Sequence, residues 1–270
     1  MTTSNTQSQL KSRLDFASST IMPCSKLALK WFQSDQCEAD HKSDGTPVTI
    51  ADRTIETELR KRICKAFPDD AILGEEFPDE PGTSGYQWVI DPIDGTISFV
   101  QGIPLFGTML ACLKDGVPVL GAIAMPCLDE LVYAGSGLGA FHVQSGSDPT
   151  PARMSTVDTL SKALINTTAL TYFTTPELRT LYDEIDSASK HTRGLPDCYG
   201  IVLLATGRVD AVIEPNVALW DIASVPPLIQ EAGGTCTDFA GDPSVHSGSL
   251  LAATNGVHSE LLEMTRSIKL

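Results

Sequence analysis

A chain of 270 residues with 42% hydrophobic and 20% charged residues has the composition of a water-soluble globular protein with a sizeable core, as one large domain or two small ones. Its net charge of -15 argues against nonspecific attachment to nucleic acid or to an anionic membrane. A phosphorylated ligand stays admissible, because carboxylates gathered around metal ions leave the local field to the cations. The seven cysteines include no C-x-x-C pair and suggest neither a zinc site nor a disulfide framework. With no signal-peptide pattern and no apolar run long enough for a bilayer, the expected location is the cytoplasm.

After a polar leader of about seven residues, Leu10, Leu14, Ala17 and Ile21, then Leu27, Leu29 and Trp31, predict packing helix broken or bent near Pro23. Ser34 to Gly45 reads as a polar loop. Ile55, Leu59 and Ile63 at four-residue spacing predict an amphipathic helix over about 50–66, with Thr49 as N-cap and Asp52 three positions on as in a capping box. Capping alone would account for Asp52. Ala71-Ile72-Leu73 reads as a short buried strand delivering Gly74-Glu75-Glu76, and the stretch from Phe77 to Gly85 as a loop.

Next, the apolar strand Trp88-Val89-Ile90 runs into Asp91 and Asp94, with Pro92 fixing the turn between them. Such a turn holds both carboxylates on one side of the backbone, as hard divalent cations require. The N–H groups of Gly95 and Thr96 then offer donors to an anion beside the metals. Asp-Pro and Asp-Gly are also ordinary turn dipeptides. Strands over about 108–113 and 117–124 flank a tight turn at Lys114-Asp115-Gly116, and strands near 130–134 and 140–143 extend an antiparallel sheet. Gly135, Gly137 and Gly139 join strands and read as turn glycines.

Ser145 to Pro151 is the best internal boundary, dividing a single domain of 1–270 into halves of 1–145 and 152–270. Beyond it come a strand over about 163–168, a helix from Thr175-Pro176 to about Ser189, a helix over about 199–206 stopped by Gly207, and a strand over 209–214. Trp220-Asp221 opens a helix carrying Val225, Leu228 and Ile229. Locally, Asp221 suits an early-helix carboxylate and Asp197 a helix N-cap. Helices alternating with sheets around a long hairpin region fit α+β layering.

The strings D-P-I-D-G-T at 91–96 and G-x-P-x-F-G at 102–107, with T-x-x-D at 49–52, G-E-E at 74–76 and W-D-x-A then E-A-G-G at 220–234, resemble the signatures of the inositol monophosphatase family of metal-dependent sugar-phosphate phosphatases. The likeness can be followed from about Asp44 to the C-terminus, and only loosely in the N-terminal helices. It implies an αβαβα sandwich of the inositol monophosphatase and fructose-1,6-bisphosphatase type, commonly a homodimer, with the active site between its halves. By the same likeness Glu75, Asp91, Asp94, Asp221 and the carbonyl of Ile93 hold two or three Mg2+ ions. Asp52 with Thr96 orients the attacking water, Gly95 and Thr96 hold the phosphate, and Glu214 contacts the substrate. None of the seven cysteines lies in a C-x5-R loop, so no phosphocysteine route is expected.

Thr192 to Tyr199 and Gly102 to Thr108 look like the histidinol-phosphate phosphatase branch, which adds Arg193 and Asp197 to the substrate side. A second carboxylate suits a cationic amino-alcohol, whereas neutral inositol needs only hydroxyl contacts. The chain departs from that branch at Leu195-Pro196, where two glycines are usual, at Trp220, where tyrosine is usual, and at Asp129-Glu130-Leu131, where E-R-W is usual. The last two read more like inositol phosphatases. The expectation is a Mg2+-dependent phosphomonoesterase for a small phosphorylated alcohol, histidinol phosphate first, with no nucleic-acid or membrane partner. The alternatives are an inositol-1-monophosphatase or related sugar-phosphate phosphatase, and a non-catalytic relative that binds metal or a phosphorylated ligand.

Overall fold

The first helix, α1 (Thr2–Ser25), takes in the expected polar leader and passes through Pro23 unbroken. Pro23 stands in the last turn, where its missing N–H removes one bond at a fraying end, and the chain then tightens into the 3-10 turn Lys26–Lys30. This computed structural model of the chain describes residues 2–34, 39–41 and 47–268, so most of the loop expected from Ser34 to Gly45 lies outside the described residues. Within it, β1 (Ala39–His41) pairs antiparallel with β2 (Pro47–Thr49). Helix α2 (Ile50–Ala66) follows as its apolar spacing predicts, burying Ile55, Leu59 and Ile63 behind the Thr49 capping box.

Seven strands make the first sheet: β3 (Ala71–Gly74), β4 (Tyr86–Asp94), β5 (Gly107–Lys114), β6 (Val117–Met125), β7 (Glu130–Gly135), β8 (Gly139–Gln144) and β9 (Thr150–Pro151), in that spatial order. Only β3 runs parallel to its neighbour. The short helix α3 (Thr96–Val100) leaves the end of β4. The expected boundary, Ser145 to Pro151, therefore ends inside the sheet, since Thr150–Pro151 still pairs with β8.

The second sheet has the order β11-β10-β12-β14-β13. Its elements in chain order are β10 (Leu164–Thr167), α4 (Pro176–Ala188), β11 (His191–Gly194), α5 (Asp197–Ala205), β12 (Ala211–Glu214), α6 (Leu219–Ile222), α7 (Val225–Ala232), β13 (Thr235–Thr237), β14 (Leu250–Ala253) and α8 (Asn255–Thr265). The single helix expected after Trp220 is two, because Pro226 and Pro227 suit only the first turn of a helix and α7 starts anew there.

Period-2 alternation assigns the faces of the first sheet. Leu110, Cys112, Leu120 and Ala122 pack with α1 and α2, whereas Met109, Ile123 and Val132 pack with α5 and α7. Those helices also cover Val212 and Ala252 of the second sheet, whose other face packs on Leu178 and Leu181 of α4 and Val257 and Leu261 of α8. The result is the αβαβα sandwich expected.

Arg13 ties α1 to the chain before β3. It donates from Nε and Nη2 to the two oxygens of Asp70 at 2.9 and 2.6 Å, and Trp88 Nε1 and Ser84 Oγ also donate to Asp70, at 3.0 and 2.6 Å. Breaking such a buried pair by removing one partner costs about 3–5 kcal/mol.

Candidate active site

Parallel pairing of β3 with β4 sets Gly74 opposite Ile90, so the two strand ends deliver Glu75 and Asp91 side by side, and Glu75 N–H donates to the Ile90 carbonyl at 3.2 Å. The β4–β5 register shifts between Asp91 and Asp94, where Pro92 cannot donate to the ladder. The Thr108 hydroxyl holds that bulge by donating to the Pro92 carbonyl at 2.8 Å.

Asp91, Asp94 and Asp221 each bring a carboxylate oxygen within 4.8 Å of the others, the one such group among the described residues. Burial, then the charges of Glu75, Asp94, Asp221 and Asp52, push the Asp91 carboxyl well above its ordinary range. Asp94 is raised in the same way, by burial and then by Asp197 and Asp221, although the Cys198 N–H at the start of α5 donates to it. Asp221 accepts the Ala218 N–H at 2.7 Å, capping α6 as its local sequence suggests.

Glu75 stands outside that 4.8 Å group, yet its charge acts on both Asp91 and Asp52. Asp52 accepts the N–H and hydroxyl of Thr49 at 2.8 and 2.6 Å, which is the capping box. It also faces Glu75 and Glu76, and burial with those charges pushes its carboxyl up to about 7. One side chain thus caps α2 and carries a charge that Glu75 and Glu76 oppose.

The D-G-T turn needs its glycine. Gly95 has φ 86°, and a Cβ there would lie 2.7 Å from Asp197 Oδ2 and 3.2 Å from the Leu105 carbonyl. Thr96 opens α3 and its hydroxyl donates to the Ile93 carbonyl at 3.0 Å, linking the two expected ligand and water-orienting positions.

The C-terminal half closes the site. Asp197 has φ 54° and is the first residue of α5, one position inside the expected cap, with its N–H donating to Thr168 Oγ1 at 3.0 Å. Burial pushes its carboxyl up to about 6. Glu214, at the end of β12, accepts the Thr168 N–H at 2.6 Å and is pushed up to about 8, mainly by burial. Tyr172 is pushed up to about 12, first by burial and then by the charges of Asp197, Glu214, Asp94 and Asp221. Sequence reasoning missed it, since an aromatic residue in a 3-10 turn carries no motif. Arg193 is not gathered in: it is exposed on the edge strand β11 and donates to the Thr192 carbonyl at 2.7 Å.

This arrangement fits hard cations. Asp91 Oδ1 is buried with no hydrogen-bond partner, the acids around it raise one another, and the donors are all oxygen. Each raised carboxyl binds its proton more tightly in the folded chain than in the unfolded one, where about 4 is ordinary. Metal-free stability therefore falls as pH rises from about 4 toward about 8. In chelator, the Tm is expected to drop between pH 6 and pH 8, and added Mg2+ to raise it more at pH 8 than at pH 6. Thermal unfolding at the two pH values checks this, and a metal-free Tm rising with pH would contradict it.

A sequence model of the inositol monophosphatase family matches residues 10–269, reaching further into α1 than the motifs do. The histidinol-phosphatase of Chlorobaculum parvum is 39% identical over 238 residues, 88% of this chain and 90% of that protein. The histidinol-phosphatase of Mycobacterium tuberculosis is 37% identical over 223 residues, 83% of this chain and 86% of that one. Among solved structures, the IMPase of Thermotoga maritima has a TM-score of 0.82 at 30% identity, over 94% of this chain and 97% of that one.

Proposed function

The chain belongs to the inositol monophosphatase family and is a phosphoric monoester hydrolase, and from that premise we propose that its substrate is histidinol phosphate, hydrolysed to histidinol in histidine biosynthesis. The observation that carries the proposal is the position of Asp197. Its carboxylate lies against Gly95 of the D-G-T turn, and its charge, like that of Glu214, acts on Tyr172. An ammonium or imidazolium on the alcohol would meet two acids there. The names of the two relatives at 39% and 37% identity support the same choice.

In the proposed mechanism Glu75, Asp91, Asp94, Asp221 and the Ile93 carbonyl would hold two or three Mg2+ ions. When bound, these would offset the charge of the phosphate dianion and lower the pKa of the attacking water. Gly95 and Thr96 N–H groups receive phosphate oxygens, and Asp52 with the Thr96 hydroxyl orients the water. Asp197 and Glu214 hold the leaving alcohol. A cytoplasmic location, supported by six free thiols among the described cysteines, and a homodimer belong to the same proposal, as does one phosphatase domain spanning both halves. Among the described residues, no helix is long and apolar enough to cross a membrane.

Inositol 1-phosphate is the second reading, carried by Trp220 and by Glu130-Leu131. Both have packing roles. Trp220 lies with Val89, Ala111 and Leu113, and Glu130 is buried between His142 and Arg208. Phosphate release from histidinol phosphate and inositol 1-phosphate in parallel decides between them. Asp197→Asn is expected to lower kcat/KM for histidinol phosphate by about 10–100-fold, the worth of one hydrogen bond to a charged group, and to leave inositol 1-phosphate hydrolysis nearly unchanged. An equal loss on both substrates would remove Asp197 from substrate recognition.

A further inference from the structure

The Glu75-Glu76 turn is gripped from behind by α2. Asp52, Glu56 and Arg60 recur every four residues and share one face of that helix. Glu56 is fully buried, and its Oε2 accepts the Glu76 N–H at 2.8 Å while Oε1 accepts Arg60 Nε at 2.8 Å. Arg60, 7% exposed, gives Nη2 to the Phe77 carbonyl at 3.1 Å and Nη1 to Glu80 Oε1 at 3.0 Å. Glu80 in turn exchanges backbone hydrogen bonds with Ile72 at 2.8 and 2.9 Å. A Cβ on Gly74 would lie 2.0 Å from Glu56 Oε1 and 2.9 Å from Arg60 Nη2, so the glycine admits this close approach. The segment around Glu75 is thereby pinned at Gly74, Glu76, Phe77 and Glu80 by two side chains of the helix that also carries Asp52.

We propose that Glu56 and Arg60 are positioning residues for the metal site. They fix where Glu75 stands relative to Asp52, so that losing them weakens Mg2+ binding and leaves substrate binding intact. The inference rests on the reading of Glu75 as a ligand in the proposed phosphatase. A pair serving only the fold would not act on metal affinity, because a buried ion pair can be exchanged for apolar side chains of similar volume at little cost in stability.

The test uses the full chain with the double substitution Glu56→Leu and Arg60→Met, which removes both charges together and leaves neither unpaired. Arg60→Lys is the second variant: it keeps a cation beside Glu56 and loses the fork to Phe77 and Glu80. Arg13→Gln, which breaks the separate buried pair with Asp70, is the control for lost stability alone. Mg2+ binding is measured by calorimetry without substrate, and the Mg2+ dependence of phosphate release separately.

The double variant is expected to raise the Mg2+ Kd by about 10–100-fold, the usual effect of removing a partner that orients a metal ligand. The Mg2+ needed for half-maximal rate should rise with it, at an unchanged KM for histidinol phosphate under saturating Mg2+. Arg60→Lys should give the same split with a smaller rise, and Arg13→Gln a lower Tm at native Mg2+ affinity. Native Mg2+ affinity in the folded double variant or in Arg60→Lys, or an increase confined to the substrate KM, would overturn the positioning role. If the native chain neither binds Mg2+ nor releases phosphate, the phosphatase reading itself has failed and the inference falls with it.

Discussion

Asp94→Asn is expected to cut Mg2+-dependent phosphate release by about 10^3-fold or more while raising the Tm of the metal-free protein. The two halves of that result have one cause. Asp94 is buried and repelled by Asp197 and Asp221, so without a cation its charge is a cost to the fold. Its amide replacement keeps an oxygen for the Cys198 N–H and drops the charge. Metal-free unfolding in chelator at pH 8 should shift upward by a few degrees, as about 1 kcal/mol gives in a chain of this size. The charge that burdens the empty site is what a bound cation needs. Losing one ligand of a metal that stabilises the transition state by several kcal/mol slows the reaction by about 10^3-fold at 4 kcal/mol. Full activity in Asp94→Asn would remove Asp94 from the ligand set. A lower metal-free Tm would mean that the charge on Asp94 strengthens its bond to α5 by more than the repulsion costs.

Asp52→Asn separates two roles that one carboxylate combines. The amide oxygen can still accept the Thr49 N–H and hydroxyl, so the start of α2 should stay capped and the Tm should not fall. Loss of the carboxylate proposed to orient the attacking water should lower kcat by about 10^2–10^4-fold. Mg2+ affinity should change far less, because in the proposed mechanism Asp52 acts on the water and is not among the ligands. Steady-state kinetics at saturating Mg2+ together with a melting curve make the comparison. Activity within a few-fold of native would reduce Asp52 to a capping residue.

Local chemistry was readable wherever cause and effect lie within a few residues. The span of α2, its Thr49 cap, and the strand ends that carry Glu75 and Asp91 all follow from near neighbours. Spacing failed where the cause is distant. The short strands β11, β13 and β14 have little pattern of their own and exist through their partners in the second sheet. Pro23 suggested a break that its place in the last turn of α1 does not impose.

The site divides along the same line. By itself the sequence determined which acids are present, which strand ends and helix starts carry them, and, through its motifs, which family they resemble. Only the tertiary structure decided that Asp221 and Asp197 stand beside Asp94, that the charges of those acids act on Tyr172, that Arg193 is exposed on an edge strand, and that Glu56 and Arg60 grip the Glu75 turn from behind. Capping and turn formation are settled by backbone groups a few positions apart, whereas burial and repulsion depend on which distant elements the layered core packs together.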